Sequence, residues 1–303
     1  NDFVVTLNVW ANQPFRWLST PRAIEFNAPI VTAIGISFST FRAADLLIKT
    51  SLGLLPRHSP GRVLAYGLFP PLQVVGPIAS YDEVAKTLAG PVRVDRDRAL
   101  RGGLLLLSGL VKVFVFAYLL SWSADIFELY PDNSAWRVWV GLLAFTMFFY
   151  VNFAGYSDLA IGAGHLLGAD LRPNFTSPYA RTDPSAFWNS WHISLTRFLR
   201  LNVFTPLAAG RPNRQYPATM LLMVLIGLWH SVTWASLAFG LYHGASLILH
   251  RVVSRRRPAS AAPVLRFVKP IGIFVWYGLS LPLLQLGLRP ALEFYAALVG
   301  WHT

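Results

Sequence analysis

Apolar runs close to the ~20 residues that a bilayer crossing needs recur along this chain, separated by short polar or arginine-bearing breaks. The pattern predicts crossing helices over residues 29–48, 104–120, 136–151 and 265–286, with a last helix beginning within 292–301. In the first run Gly35, Ser37, Ser39 and Thr40 are the small side chains that let membrane helices approach closely. Residues 1–28 are mixed, with Trp10, Phe15, Arg16 and Trp17 together, and read as an interfacial segment.

Elsewhere the apolar pattern is interrupted. Pro70, Pro71 and Pro77 within residues 61–80 exclude a straight helix. A broken or re-entrant element buried in protein is expected there, a loop on the membrane surface being the other reading. After 136–151 the chain turns polar, so Ser157 or Asp158 is expected to cap a new helix reaching Gly168; a buried carboxylate is the alternative for Asp158. Residues 169–183 read as a polar loop. Asp183-Pro184 then reads as N-cap and first turn of a helix. On it Trp188, Trp191, His192, Leu195 and Leu199 share one face, with Arg197 and Arg200 on the other. Residues 219–230 and 232–250 are two shorter apolar pieces joined at His230-Ser231. They predict a hairpin or kinked helix that carries the histidine at depth.

Composition narrows the class. Of 303 residues, 54% are hydrophobic and 13% charged, outside the usual soluble balance. The net charge of +12 does not indicate a nucleic-acid partner, because the arginines sit beside apolar runs as cytoplasmic loops do. Arg93, Arg96, Arg98 and Arg101 form one such cluster, and Arg251, Arg255, Arg256 and Arg257 another; the acidic loop at 125–132 fits the opposite side. Cysteine is absent, which removes disulfides, Cys-based metal sites and a cysteine nucleophile. No metal is expected. The chain begins at Asn1 without methionine and ends at Thr303 after an apolar segment. One membrane-embedded domain over 1–303, incomplete at both termini, is expected.

Ionisable groups within apolar sequence are costly and point to function or to a specific partner. Lys112, central in the 104–120 run, calls for an acidic or carbonyl partner. His230, between Trp229 and Trp234, is either a packed imidazole bonded to backbone or a proton-transfer group. His192 repeats that aromatic setting next to Trp188 and Trp191; His243 is either structural or a pocket liner.

Ordered motifs over residues 30–250 carry a resemblance. They are Phe153-Ala154-Gly155-Tyr156-Ser157-Asp158, Asn174-Phe175 with Pro178-Tyr179, and Phe187-Trp188-Asn189-Ser190-Trp191-His192-Ile193-Ser194-Leu195. Gly227-Leu228-Trp229-His230 and Gly240-Leu241-Tyr242-His243-Gly244 follow, with Gly35-Ile36-Ser37-Phe38 and Gly76-Pro77-Ile78 upstream. The chain resembles the membrane-bound O-acyltransferase family, in its bacterial alginate O-acetyltransferase-like branch. It departs from the branch at Leu201-Asn202, Ser231, Ala235 and Phe239. Against that branch, about three N-terminal helices and some C-terminal sequence are expected to lie outside the sequence.

The resemblance implies an all-α polytopic membrane enzyme, with broken or re-entrant helices around a transmembrane tunnel, in the bacterial inner (cytoplasmic) membrane. It implies acetyl transfer from a cytoplasmic thioester to a hydroxyl of an extracytoplasmic polysaccharide, directly or through a periplasmic SGNH-hydrolase-like partner. Acetyl-CoA is the expected donor, with no permanently bound cofactor. His230 would be the general base, and His192 would position the donor or polarise its carbonyl. Trp229, Trp234 and Tyr242 would wall the tunnel, with His243, Trp188, Trp191, Tyr156 and Asp158 also at the substrate. Apart from the resemblance, Arg197 and Arg200 on the cytoplasmic side would either meet coenzyme A phosphates or stand solvated or lipid-facing. The rival readings are D-alanyl transfer to teichoic acid from a carrier-protein thioester, a transporter, and a catalytically silent scaffold.

Overall fold

The computed structural model describes residues 28–301, apart from 57, 74, 89–93, 131–132 and 255–264. The expected interfacial segment with Trp10, Phe15, Arg16 and Trp17 lies outside these residues, as do Arg93, Arg255, Arg256, Arg257 and the side chains of Gly35 and Ser37. Among the described residues the regular structure is all helical.

Helix α1 (Ala28–Ser51) covers the first apolar run. Its Arg42 is buried, and the guanidinium donates to the carbonyls of Tyr66 and Gly67, both at 3.2 Å. Those carbonyls end α2 (Pro60–Gly67), where a helix exposes unpaired acceptors and favours a cation. Beyond α2 the proline-rich stretch is a tight turn at Pro70–Leu72 and then extended chain before α3 (Tyr81–Leu88). Phe69, Leu72, Ile78 and Ala79 are buried, and the Tyr66 hydroxyl donates to the Ala79 carbonyl at 2.7 Å. The element is thus broken, and its irregular part at 76–80 is buried in protein, the setting in which a membrane protein tolerates non-helical backbone.

Helix α4 runs Arg96–Leu129, well past the predicted 104–120, and contains a π-helical stretch at Lys112–Ala117. The acidic segment is therefore helix through Leu129, not loop. Ile126 and Phe127 are buried there, with Phe127 packed on Phe145 and Phe294 at 4.7 and 5.4 Å between ring centroids. Helix α5 (Ala135–Leu166) is also one unbroken element, so the predicted stop and recapping at 152–158 does not occur. The polar side chains find partners on neighbouring elements instead: Ser157 meets Asn174, and Asp158 meets Ser108 and Lys112. A satisfied side chain has no need to compete for the helix backbone. The two helices touch through glycine pairs. A Cβ on Gly109 would lie 2.7 Å from the Gly155 carbonyl oxygen, and one on Gly162 would lie 2.8 Å from that of Gly102.

Asp183 caps α6 (Pro184–Trp188) as expected, accepting from the Ala186 amide at 2.8 Å. The predicted continuous amphipathic helix is interrupted, however. The chain turns through 189–192 and resumes as α7 (Ile193–Leu199), followed by a π turn at Arg200–Phe204. Helices α8 (Gln215–His230) and α9 (Trp234–Ser254) form the expected hairpin. Here too glycine permits close approach: a Cβ on Gly227 would sit 2.1 Å from the Ser236 carbonyl oxygen. Helix α10 (Leu265–Gly278) continues through Pro282–Gln285, and α11 (Leu288–Leu298) starts ahead of its predicted position. The stretches Arg96–Leu129, Ala135–Leu166 and Phe267–Gln285 are long and apolar enough to cross a membrane.

Candidate active site

The corner between α6 and α7 places His192. Its backbone lies at φ 42° and ψ 55°, the left-handed region where a Cβ crowds the following carbonyl. The preceding loop holds it there. The Ile193 amide donates to the Asn174 carbonyl at 2.9 Å, and the Thr176 amide to the Ser190 carbonyl at 3.0 Å. The Asn174 side chain adds an acceptor for the Ser194 amide at 3.2 Å. Strain maintained by so many bonds is common where a side chain must be aimed. The His192 ring is 3% exposed, and Nε2 has no hydrogen-bond partner among the described residues.

His230 is the last residue of α8, because Ser231 leaves the helix in extended geometry. Hydroxyls close the turn: Ser231 and Ser236 oxygens lie 2.5 Å apart, and Thr233 accepts from the Ser236 amide at 3.2 Å, capping α9. The His230 ring packs on Trp229 at 4.7 Å and on Phe239 at 6.1 Å. Trp229 also faces His192 at 6.0 Å, edge to face. One indole therefore touches both imidazoles. Phe38, Phe41 and Phe153 close the apolar surround: Phe38 meets His192 and Trp229, Phe41 meets Trp229, and Phe153 meets His192.

The other residues singled out from the sequence fall in distinct places. Trp188 and Trp191 are buried, Trp191 stacking on Phe149 and Phe187. His243 is fully buried against Trp188, Phe239 and Trp276, and neither ring nitrogen has a partner among the described residues. The Tyr242 hydroxyl donates to the Trp276 carbonyl at 2.9 Å. Tyr156 is half-buried on α5, beside the Ser157 that Asn174 reaches. Asp158 pairs with Lys112 at 2.5 Å, one of the partner types expected for that lysine. Trp234 is 75% exposed at the hairpin, away from the Trp229 cluster.

The two arginines separate. Arg197 is bound to Glu83 at 2.6 Å, and Arg172 reaches the same oxygen at 3.0 Å. Arg200 donates to the Asn189 side chain at 2.5 Å and borders a cleft of about 590 Å³. Trp188, Thr196, Ile226, His250 and Arg251 also line that cleft. Ile226 lies one helical turn before His230, but neither His230 nor His192 is among the residues that line the cleft. Sequence reasoning passed over Glu83 entirely and took Asn174 only as part of a motif. A Pro-Asn-Phe step in a polar loop carries no local sign of what its side chain will hold.

The model of the membrane-bound O-acyltransferase family matches residues 36–283. The chain belongs to this family. It is accordingly a multi-pass membrane protein, as its apolar helices require. Among similar proteins is a probable alginate O-acetylase, AlgI, of Azotobacter vinelandii, 31% identical over 228 residues, covering 74% of this chain and 45% of the relative. A peptidoglycan O-acetyltransferase of Helicobacter pylori is 33% identical over 207 residues, 65% of this chain and 38% of the relative. A teichoic acid D-alanyltransferase of Streptococcus thermophilus is 27% identical over 282 residues, 82% and 66% respectively. The chain spans a little under half the length of the alginate O-acetylases that it matches.

Proposed function

We propose that this family member takes part in moving an acetyl group from acetyl-CoA to a hydroxyl of an extracytoplasmic polysaccharide such as an alginate-like or cellulose-like polymer. His230 serves as general base. The observation that carries the reading is the pair His192 and His230 on one indole, Trp229, inside an aromatic surround. In the reaction His230 takes the hydroxyl proton as the oxygen attacks the thioester carbonyl. The tetrahedral intermediate then collapses, the C–S bond breaks, and the imidazolium returns the proton to the leaving thiolate. The aromatic surround excludes water that would hydrolyse the thioester. Arg200 and Arg251 on the cleft rim offer positive charge to coenzyme A phosphates. The chain as a single acyltransferase domain, its location in the inner membrane and a periplasmic SGNH-hydrolase-like partner belong to the same proposal.

The likeness to a teichoic acid D-alanyltransferase favours a second reading, in which a carrier-protein thioester donates D-alanine. Membrane vesicles bearing the full-length protein and enclosing alginate or cellulose distinguish the two. Acetyl label passing from external acetyl-CoA to the enclosed polymer supports the first. Transfer only from an alanyl carrier protein to teichoic acid supports the second. Transfer from neither donor defeats both.

A further inference from the structure

The amide of Asn174 is held in one orientation by a donor that cannot be reversed. Its Oδ1 accepts from the backbone N–H of Ser194 at 3.2 Å and from the Ser194 hydroxyl at 2.9 Å. Its Nδ2 donates to the Ser157 hydroxyl at 3.1 Å. Flipping the amide would turn an NH₂ group toward the Ser194 N–H, so the atom facing His192 is an oxygen. That oxygen lies 3.3 Å from His192 Nδ1. Two lone pairs at that distance inside a buried site repel each other, and the Ser194 hydroxyl, 3.4 Å from the same nitrogen, is turned to Oδ1 at 2.9 Å, so an Nδ1–H donating to Oδ1 is the arrangement without that repulsion. Asn174 is itself 1% exposed, so water cannot readily substitute for any member.

We infer that Asn174 is a positioning residue that locks His192 as its Nδ1–H tautomer, leaving the Nε2 lone pair to accept a hydrogen bond from an O–H or N–H of the substrate. Nε2 is buried and has no partner among the described residues, as an acceptor reserved for a bound group would be. The inference rests on the reading that His192 faces substrate, and it decides between the roles that the sequence allowed. A neutral ring in this tautomer cannot polarise a carbonyl through Nε2, because that requires a proton there. It can orient an acceptor hydroxyl beside His230, or hold an amide of the donor's pantetheine arm. The left-handed backbone at His192 belongs to the same device, since it brings residues 192, 193 and 194 together onto Asn174.

The test uses the full-length protein labelled with ¹⁵N-histidine in lipid nanodiscs, the His192 signals being assigned by their loss in His192→Asn. A protonated Nδ1 and bare Nε2 in the wild type are expected, preserved in Asn174→Asp, whose carboxylate still accepts. Asn174→Leu should shift the ring to the opposite tautomer and lower kcat at least tenfold, while Asn174→Asp should retain most of the activity. A bare Nδ1 in the wild type overturns the assignment, and so does an unchanged tautomer in Asn174→Leu. Varying acetyl-CoA and acceptor separately shows which one loses affinity in the leucine variant, and hence whether Nε2 holds an amide or a hydroxyl. If the wild type shows the expected tautomer but transfers no acyl group, the proposed function fails and the role of Asn174 stands.

Discussion

The Lys112 ammonium lies 2.5 Å from an Asp158 carboxylate oxygen and ties α4 to α5 beside the contact of Gly109 with Gly155. Ser108 donates to the same oxygen at 2.8 Å. Asp158 retains 18% side-chain exposure and Lys112 30%, so this is neither a water-screened surface pair nor a sealed one. Removing one partner should cost about 1–3 kcal/mol, between the values for exposed and buried pairs. In nanodiscs Asp158→Leu and Lys112→Met should each lower the unfolding midpoint, and the double variant should recover much of the loss. Strictly additive losses would mean that the pair is incidental.

How much of this was readable in the chain depends on the distance over which each partner acts. The apolar runs at 104–120, 136–151 and 265–286 announced helices long and apolar enough to cross a membrane because hydropathy is local, whereas the run at 29–48 is a helix that does not meet that measure; the two-piece pattern at His230-Ser231 announced the hairpin. Lys112 pointed to a partner of the type found, without naming the residue. The predicted break at 152–158 failed because Asp158 and Ser157 resemble caps until Lys112, Ser108 and Asn174 are brought to them from 46, 50 and 17 positions away. The corner at His192 was hidden for the same reason. Trp188, Trp191, Leu195 and Leu199 keep helical spacing across it, and the bonds that break the helix come from Asn174.

Glycine at the hairpin gives a steric prediction with an internal control. A Cβ at Gly227 would meet the Ser236 backbone oxygen at 2.1 Å, and backbone cannot rotate away as a flexible side chain can. Gly227→Ala should therefore push α8 from α9, with a cost at or above the ~1–3 kcal/mol typical of overpacking, and displace His230 with it. Among the described residues, Gly103 has nothing within 4 Å of the same added atom. Gly103→Ala should be neutral or gain up to about 1 kcal/mol from helix propensity. Thermal unfolding of both variants in one detergent checks the contrast, and equal midpoints would remove the close-packing argument.

Arg197 and Arg200 should separate in kinetics. Glu83 is 9% exposed and holds Arg197, so Arg197→Ala should chiefly reduce the yield of folded protein, softened because Arg172 still reaches Glu83. Arg200 borders the cleft and, among the described residues, is held by a neutral amide. Arg200→Ala should raise KM for acetyl-CoA roughly three- to tenfold with little change in kcat, the pattern of lost ground-state binding. Initial rates at varied donor concentration separate these outcomes. An unchanged KM in the Arg200 variant would detach the cleft from the donor.

The histidines make the strongest demand on the proposed chemistry. His230→Ala removes the base, so kcat should fall about 10²–10⁴-fold while the protein remains inserted. His192→Ala should also be severe, although part of that loss reflects relief of the backbone at φ 42°. His192→Asn separates the two contributions, because asparagine tolerates the left-handed conformation and offers hydrogen-bonding atoms. Its transfer rate should exceed that of His192→Ala. His243→Phe supplies the comparison, since that ring sits in an aromatic box with neither nitrogen partnered among the described residues, and an apolar ring of similar shape should fit. Single-turnover transfer from labelled acetyl-CoA, normalised to inserted protein, gives the measurement. Near-normal turnover in His230→Ala would take away the base on which acyl transfer at this site depends.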